Sequence, residues 1–184
     1  EKYLENTIQS IKSQTYSKWE IIFYDNCSTD NSEKIFKKFT NDQRFIYKKS
    51  DKFRNLYDAR NEALKFISGE YVCFLDADDY WECDKLEKQI NFLQNSNEFD
   101  IVYSNYYIFK QSSGEKIIKY KNKLPSGLIL KELLIDYKVG FLTVCFRTQI
   151  LKNYKFNNNY NIIGDYDLIL QMCKNKIKIG CIQV

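Results

Sequence analysis

A chain of 184 residues, 44% hydrophobic and 28% charged, has apolar residues enough for one domain with its own core and falls short of two; intrinsic disorder is excluded as the default state. The net charge of +4 comes from lysines scattered among acids, so no basic block marks a nucleic-acid partner, and none is expected. Neither a signal peptide nor an apolar run long enough to span a bilayer is recognisable.

Leu4, Ile8 and Ile11 recur at helical spacing between polar residues and predict an amphipathic helix over residues 1–14. Residues 19–24 predict a buried strand that ends in the polar run Asp25-Asn26-Cys27-Ser28-Thr29-Asp30. A helix capped by Asp30 or Asn31 follows, with Ile35, Phe36 and Phe39 inward, and then a short strand over residues 44–48. A polar approach at 54–60 leads into a helix that buries Ala63, Leu64 and Ile67 and stops at Gly69. The next strand, 71–75, is a nearly continuous apolar run whose end is abruptly acidic: Asp76, Asp78 and Asp79. A helix carrying Leu86, Ile90 and Leu93 comes next, then a strand over 100–109 and a hairpin turn at Ser112-Ser113-Gly114 leading to 116–120. The alternation of strands and helices predicts an α/β fold with a mostly parallel sheet through about residue 109. Beyond it the pattern gives a helix over 128–135, a strand over 142–147, an asparagine-rich loop at 157–160, a helix opening at Asp165 and a final strand over 177–184.

The six cysteines include no C-x-x-C pair, and there is no histidine to complete a common zinc set. Cys73, Cys145, Cys173 and Cys181 lie inside apolar runs, where cysteine behaves as a small buried hydrophobe. A reducing, cytoplasmic setting is the expectation.

Carboxylates held close together repel one another, and burying them costs desolvation energy, so a fold that sets Asp76, Asp78 and Asp79 at the mouth of a buried strand calls for a cation there. Ligands of open α/β sheets bind outside the carboxyl ends of the strands. Three acidic ends fall on that edge in chain order: Asp25 with Asp30, Asp76 with Asp78 and Asp79, and Asp165 with Asp167. Such a set suits a site that holds a metal and a diphosphate and supplies a general base. Each acid also has a plainer reading: Asp25 and Asp30 as turn and cap residues, Asp78 or Asp79 as the cap of the next helix, Asp165 as an N-cap.

In that order, these segments resemble inverting glycosyltransferase family 2. Tyr24-Asp25-Asn26-Cys27-Ser28-Thr29-Asp30 is similar to its Asp-Asp-Gly-Ser-x-Asp segment, and Ala59-Arg60-Asn61-Glu62-Ala63 with Gly69-Glu70-Tyr71 to its Ala-Arg-Asn helix and Gly-Glu-Tyr strand entry. Asp76-Ala77-Asp78-Asp79 resembles its metal-binding Asp-x-Asp segment, and Gly164-Asp165-Tyr166-Asp167-Leu168 its Glu-Asp-Tyr-Asp-Leu segment. Gln14-Thr15-Tyr16 and Phe146-Arg147 also fall where the family has them. The resemblance implies a GT-A fold and inverting transfer of a sugar from a nucleotide-sugar donor, usually a uridine diphosphate sugar, to a saccharide or lipid-linked saccharide acceptor. It implies Asp78 as the main ligand of Mn2+ or Mg2+, Asp76 at the ribose and metal shell, Asp25 at the base, Arg60 supporting the donor pocket and Asp165 as general base. It further implies a nucleotide-sugar half over 1–109 and a smaller acceptor half over 110–184 of one domain, and it permits peripheral contact with the inner face of a membrane.

Two departures stand out. Family members open with a strand ending near Pro-x-Tyr-Asn, and this sequence starts after that point, which predicts an open sheet position and an incomplete donor site. Where the family has Glu-Asp, this chain has Gly164-Asp165, with Asp167 as the rival base. Arg60 alternatively pairs with Asp58 or Glu62 at the surface, Tyr80 and Trp81 stack on a sugar or pack, and Phe146-Arg147 reads as core plus a solvated charge. A haloacid-dehalogenase-type phosphotransferase also uses Asp-x-Asp after an apolar strand, and a non-catalytic nucleotide- or sugar-binding domain is the third reading.

Overall fold

The computed structural model describes residues 1–183. Helix α1 (Leu4–Lys12) turns Leu4, Ile8 and Ile11 inward, as their spacing dictates. Strand β1 (Ile21–Asp25) pairs in parallel with β2 (Phe45–Lys49), and α2 (Ser32–Lys37) crosses between them. Leu4, Ile8, Phe36 and Phe45 form the small core under this pair. After α3 (Leu56–Ala63) come β3 (Tyr71–Cys73), α4 (Lys85–Gln94) and β4 (Ile101–Ser104). A projecting hairpin follows, built from β5 (Tyr107–Lys110) and β6 (Glu115–Ile118) around Gly114, whose φ of 71° is the left-handed conformation glycine adopts freely. The chain then forms α5 (Leu130–Ile135), β7 (Cys145–Arg147), α6 (Gly164–Lys174) and β8 (Ile179–Ile182).

The main sheet has the order β3-β7-β4-β8. Strands β3, β4 and β8 point the same way and β7 runs against its two neighbours. The late strands β7 and β8 therefore lie in one sheet with the early strands β3 and β4. Alternation along each strand sorts the two faces. Val72, Ile101, Tyr103, Phe146 and Ile179 pack into the larger core with Leu168, Ile169 and Met172 of α6, whereas Cys73, Val102 and Cys145 pack on the other face with Leu93 of α4. Between β1 and β3 runs a cleft of about 580 Å³, lined by Ile8, Ile22, Leu64, Val72 and Ile90 among others. The two sheets are not hydrogen-bonded to each other across it.

Several predicted boundaries change: the strand expected over 142–147 begins only at Cys145, after a 3-10 turn over Phe141–Thr143, and that expected over 71–75 ends at Cys73. The helix expected to reach Gly69 leaves α geometry after Ala63 and ends in a 3-10 turn over Leu64–Phe66; Ile67 is extended, and the Glu20 carboxylate accepts from both the backbone N–H and the hydroxyl of Ser68. The single strand expected over 100–109 is two, because the Asn105 side chain accepts from Tyr106 N and Tyr120 N and donates to Tyr120 O, which redirects the chain into the hairpin. The final strand spans Ile179–Ile182, and its expected end at Val184 lies outside the described residues.

Candidate active site

Helix α3 organises the acidic edge. Its N-cap is Asn55, whose side chain accepts from Asp58 N at 2.8 Å, and it presents side chains to three other segments. Arg60 donates to Asp76 Oδ1 at 2.8 Å. Its guanidinium lies 5.0 Å from the ring centre of Phe141 and within 6 Å of Tyr57, Phe74 and Phe156, and its side chain is only 12% exposed. Arg60 is thus not the surface partner of Asp58 or Glu62: those two pair with Arg54 and Lys65. The rings wall the guanidinium and fix the direction from which it holds Asp76, whose own side chain is largely exposed.

One turn earlier, Tyr57 is buried at 1% exposure. Its hydroxyl donates to Ile162 O at 2.7 Å and lies 3.4 Å from Asp165 Oδ1. Burial, and then the Asp165 charge, push the Tyr57 hydroxyl above the usual phenol range. Asn61 exchanges hydrogen bonds with the backbone of Phe156, 2.8 and 3.1 Å, which docks the asparagine-rich loop against α3. Asp76 and Asp165, far apart in sequence, are in this way brought to one helix.

The acidic turn behind β3 is splinted by α1. Thr7 Oγ1 lies 3.0 and 2.8 Å from the carbonyls of Ala77 and Asp79 and shares its proton between them. Ser10 accepts from Trp81 N, and the buried Gln14 donates to Glu82 O and accepts from Leu86 N. Helix α4 begins only at Lys85, with Asp84 at its N-cap position, so neither Asp78 nor Asp79 caps it. Asp79 is half-buried, and burial, followed by the charges of Asp78 and Asp76, pushes its carboxyl above the usual range. Asp78 is exposed, and among the described residues its carboxylate has no ion-pair or hydrogen-bond partner. These acids fit a hard divalent cation, since crowded carboxylates are relieved by one. Among the described residues, however, no three ligand side chains converge on a common point, so the protein supplies only part of any coordination shell.

Asp25 ends β1 at 2% exposure. Its oxygens accept from Ser28 N at 2.7 Å and Tyr47 OH at 2.6 Å. Burial alone would raise this carboxyl, but the hydrogen bonds from Tyr47 and Ser28, with Lys49 nearby, hold it below the usual carboxylate range. Asp25 therefore shapes the loop at the end of β1, and Asn26 locks that loop to Arg54 through a reciprocal pair of 2.7 and 3.0 Å. Asp30 accepts from Ser32 N at 2.9 Å from the position before the N-cap of α2, which is Asn31 and makes no side-chain capping bond.

At the start of α6, Asp165 Oδ1 accepts from the Tyr166 N–H at 2.8 Å. Gly164 is buried, and a Cβ added to it would stand 2.5 Å from the Tyr57 ring; the ring occupies space that any larger residue at 164 would need. Asp167 points elsewhere and accepts from Gln171 at 2.6 Å. Trp81 packs, its indole donating to Leu142 O at 2.9 Å, whereas Tyr80 is exposed and meets Phe109 of the hairpin edge-on. Arg147 is not a solvated charge: it donates to Leu93 O at 2.5 Å and Phe99 O at 3.3 Å and ties α4 to the sheet. Sequence reasoning did not single out Thr7, Tyr47 or Tyr57. Nothing local marks them, because each acts on a residue distant in the chain.

A mixed sheet flanked by helices, with acidic turns gathered at one edge around an arginine-bearing helix, defines a GT-A fold. The whole chain superposes on the crystal structure of S. aureus TarS in complex with UDP with a TM-score of 0.76 at 23% identity, covering 57% of that chain. It also superposes on the mannosyltransferase PcManGT from Pyrobaculum calidifontis in complex with GDP-Man and Mn2+, with a TM-score of 0.74 at 17% identity over 99% of this chain and 51% of the other. Residues 1–158 match the model of glycosyl transferase family 2, and the protein belongs to that family. The haloacid-dehalogenase reading is thereby set aside. The chain is 36% identical to the Escherichia coli protein WfaP, a UDP-Glc:alpha-D-GlcNAc-diphosphoundecaprenol beta-1,3-glucosyltransferase, over 94% of its own length and 65% of the relative's. To WfgD of the same organism, whose description is the same, it is 33% identical over 95% of its length and 66% of the relative's. It thus spans about two thirds of these relatives. None of the helices among the described residues is long and apolar enough to cross a membrane.

Proposed function

We propose that the protein transfers a sugar from a uridine diphosphate sugar to the hydroxyl of a saccharide or lipid-linked saccharide, with inversion, in the building of a surface polysaccharide. The observation that carries this reading is the meeting of two acids at α3: Asp76 is fixed by Arg60 at 2.8 Å, and Asp165 Oδ1 lies 3.4 Å from the Tyr57 hydroxyl, so a donor-side acid and a candidate base come to one helix. The E. coli relatives, described as UDP-glucose-dependent transferases acting on a diphosphoundecaprenol-linked sugar, support the donor and acceptor classes.

In this mechanism the acceptor oxygen attacks the anomeric carbon from the face opposite the departing diphosphate. The bond from that carbon to the phosphate oxygen breaks, a new glycosidic bond forms, and the acceptor proton passes to Asp165. The Tyr166 N–H orients the Asp165 carboxylate, and the Tyr57 hydroxyl, tied to Ile162 O, lies beside it. Arg60 fixes Asp76 on the donor side, Asp25 holds the loop at the base end, and Asp78 presents the open carboxylate for a divalent cation. That cation, Mn2+ or Mg2+, would neutralise charge on the leaving diphosphate when bound. Residues 1–109 form the donor half and 110–184 the acceptor half, and acceptors of this class bring the protein to the inner face of a membrane.

Calorimetric titration of UDP with and without Mn2+, repeated on Asp78→Ala, tests the donor site. Metal-dependent binding that the variant loses is expected; binding indifferent to both metal and variant would overturn the assignment.

A further inference from the structure

On the face of the sheet away from α6, Cys73 of β3 and Cys145 of β7 are register partners on adjacent antiparallel strands. Residues so paired have Cα atoms about 4.5–5.5 Å apart, within the roughly 4.4–6.8 Å over which disulfides form. Both are free thiols, Cys73 partly exposed and Cys145 buried, and both pack with Leu93 and Val102. Beside them lies the ammonium group of Lys85. It is buried with no hydrogen-bond partner, sits 3.8 Å from the centre of the Trp81 ring, and acts electrostatically on both thiols. A buried ammonium satisfied by neither a carboxylate nor a carbonyl is stabilised by an adjacent thiolate. None of these three residues has a part in the sugar-transfer site.

We propose that Cys73 and Cys145 are a peroxide-oxidisable dithiol that closes into a disulfide between β3 and β7, directly behind the acidic turn. Cys73 is the nucleophile, because it is the partly exposed member of the pair whereas Cys145 is buried; Cys145 and Lys85 lower its thiol against the opposing effect of burial. The Cys73 thiolate attacks one oxygen of hydrogen peroxide, the O–O bond breaks, and the departing hydroxide takes a proton and leaves as water, giving a sulfenic acid. The Cys145 sulfur then attacks the Cys73 sulfur, the S–O bond breaks, and the expelled hydroxide leaves with the Cys145 proton as a second water. Two thiols and one peroxide become one disulfide and two waters. Among the described residues, none of the other four cysteines has a register partner of its own kind: Cys173 and Cys181 are pushed up to about 11 chiefly by burial, Cys83 is exposed, and Cys27 is partly buried with its thiol 3.6 Å from Ser50 O.

The test is peptide mapping of the intact protein after a graded dose of hydrogen peroxide. The expected result is a linked pair of peptides containing Cys73 and Cys145, short of the two thiol hydrogens and separated by dithiothreitol. In Cys145→Ser or Cys145→Ala the reaction halts at a Cys73 sulfenic acid, which dimedone labels, and Lys85→Met slows that labelling several-fold. Oxidation of the exposed Cys83 while Cys73 and Cys145 stay reduced in the wild-type protein would overturn the proposal, and so would a Cys73 that dimedone never labels in either variant. The wild-type map needs no mutation, so it decides the matter even if a variant fails to fold.

Discussion

Gly164→Ala is the most exacting probe of how the site is built, because two opposing effects meet at one atom. Gly164 is the first residue of α6, and replacing glycine by alanine inside a helix stabilises by up to about 1 kcal/mol. The added Cβ, however, would stand 2.5 Å from the Tyr57 ring, a contact that requires movement. Tyr57 cannot yield easily, since it is 1% exposed, stacks on Phe156 at 5.6 Å and is tethered to Ile162 O. Overpacking a rigid core site costs about 1–3 kcal/mol, so the clash wins and a net loss of about 1–2 kcal/mol is expected. At roughly 2–4 °C per kcal/mol for a chain of this size, the melting temperature should fall by about 2–8 °C. In a Tyr57→Leu background the ring is gone and the same substitution should become neutral or stabilising, giving a coupling energy of about 1 kcal/mol or more. Thermal unfolding of the four proteins in the cycle measures it. If Gly164→Ala raises the melting temperature in the wild-type background, or costs the same in both, the steric account of Gly164 is wrong.

Asp165→Asn should lower turnover by about 10²–10⁴-fold, the usual range for loss of a general base, with UDP affinity unchanged, whereas Asp167→Asn, which disturbs only the contact with Gln171, should stay within a few-fold; initial rates with labelled UDP-sugars separate them. Arg60→Lys should weaken metal-dependent UDP binding and lower stability by about 1–3 kcal/mol, because an ammonium neither fills the ring-lined space nor holds Asp76 from the same position; unchanged titration isotherms would count against the Arg60–Asp76 pair as donor-side architecture. Tyr47→Phe should shift acid unfolding to higher pH. The folded carboxyl of Asp25 is depressed, so its stabilisation is present above the unfolded value near pH 4 and is lost as pH falls through the folded value; removing the Tyr47 hydroxyl leaves burial to raise that folded value, and loss of structure followed by circular dichroism should begin earlier on the way down.

The sequence by itself determined the order of most strands and helices and the clustering of carboxylates at strand and helix ends, because both are local. The period of Leu4, Ile8 and Ile11 selects one helix face. The apolar run before Asp76 marks a strand, β3, whose Val72 is buried in the larger core, and the order of the acidic segments carries the family. Tertiary structure alone decided what those carboxylates touch. Asp76 meets Arg60 across 16 residues, Asp165 meets Tyr57 across 108, and the acidic turn is fixed by Thr7 from about 70 residues away. No window of sequence contains such pairs, and the hydrogen-bonding power of a tyrosine or threonine looks the same wherever it stands. Likewise β7 enters the sheet antiparallel between β3 and β4, which helix and strand periods do not encode: alternation specifies the faces of a strand, whereas its neighbours are chosen by the packing of the whole chain.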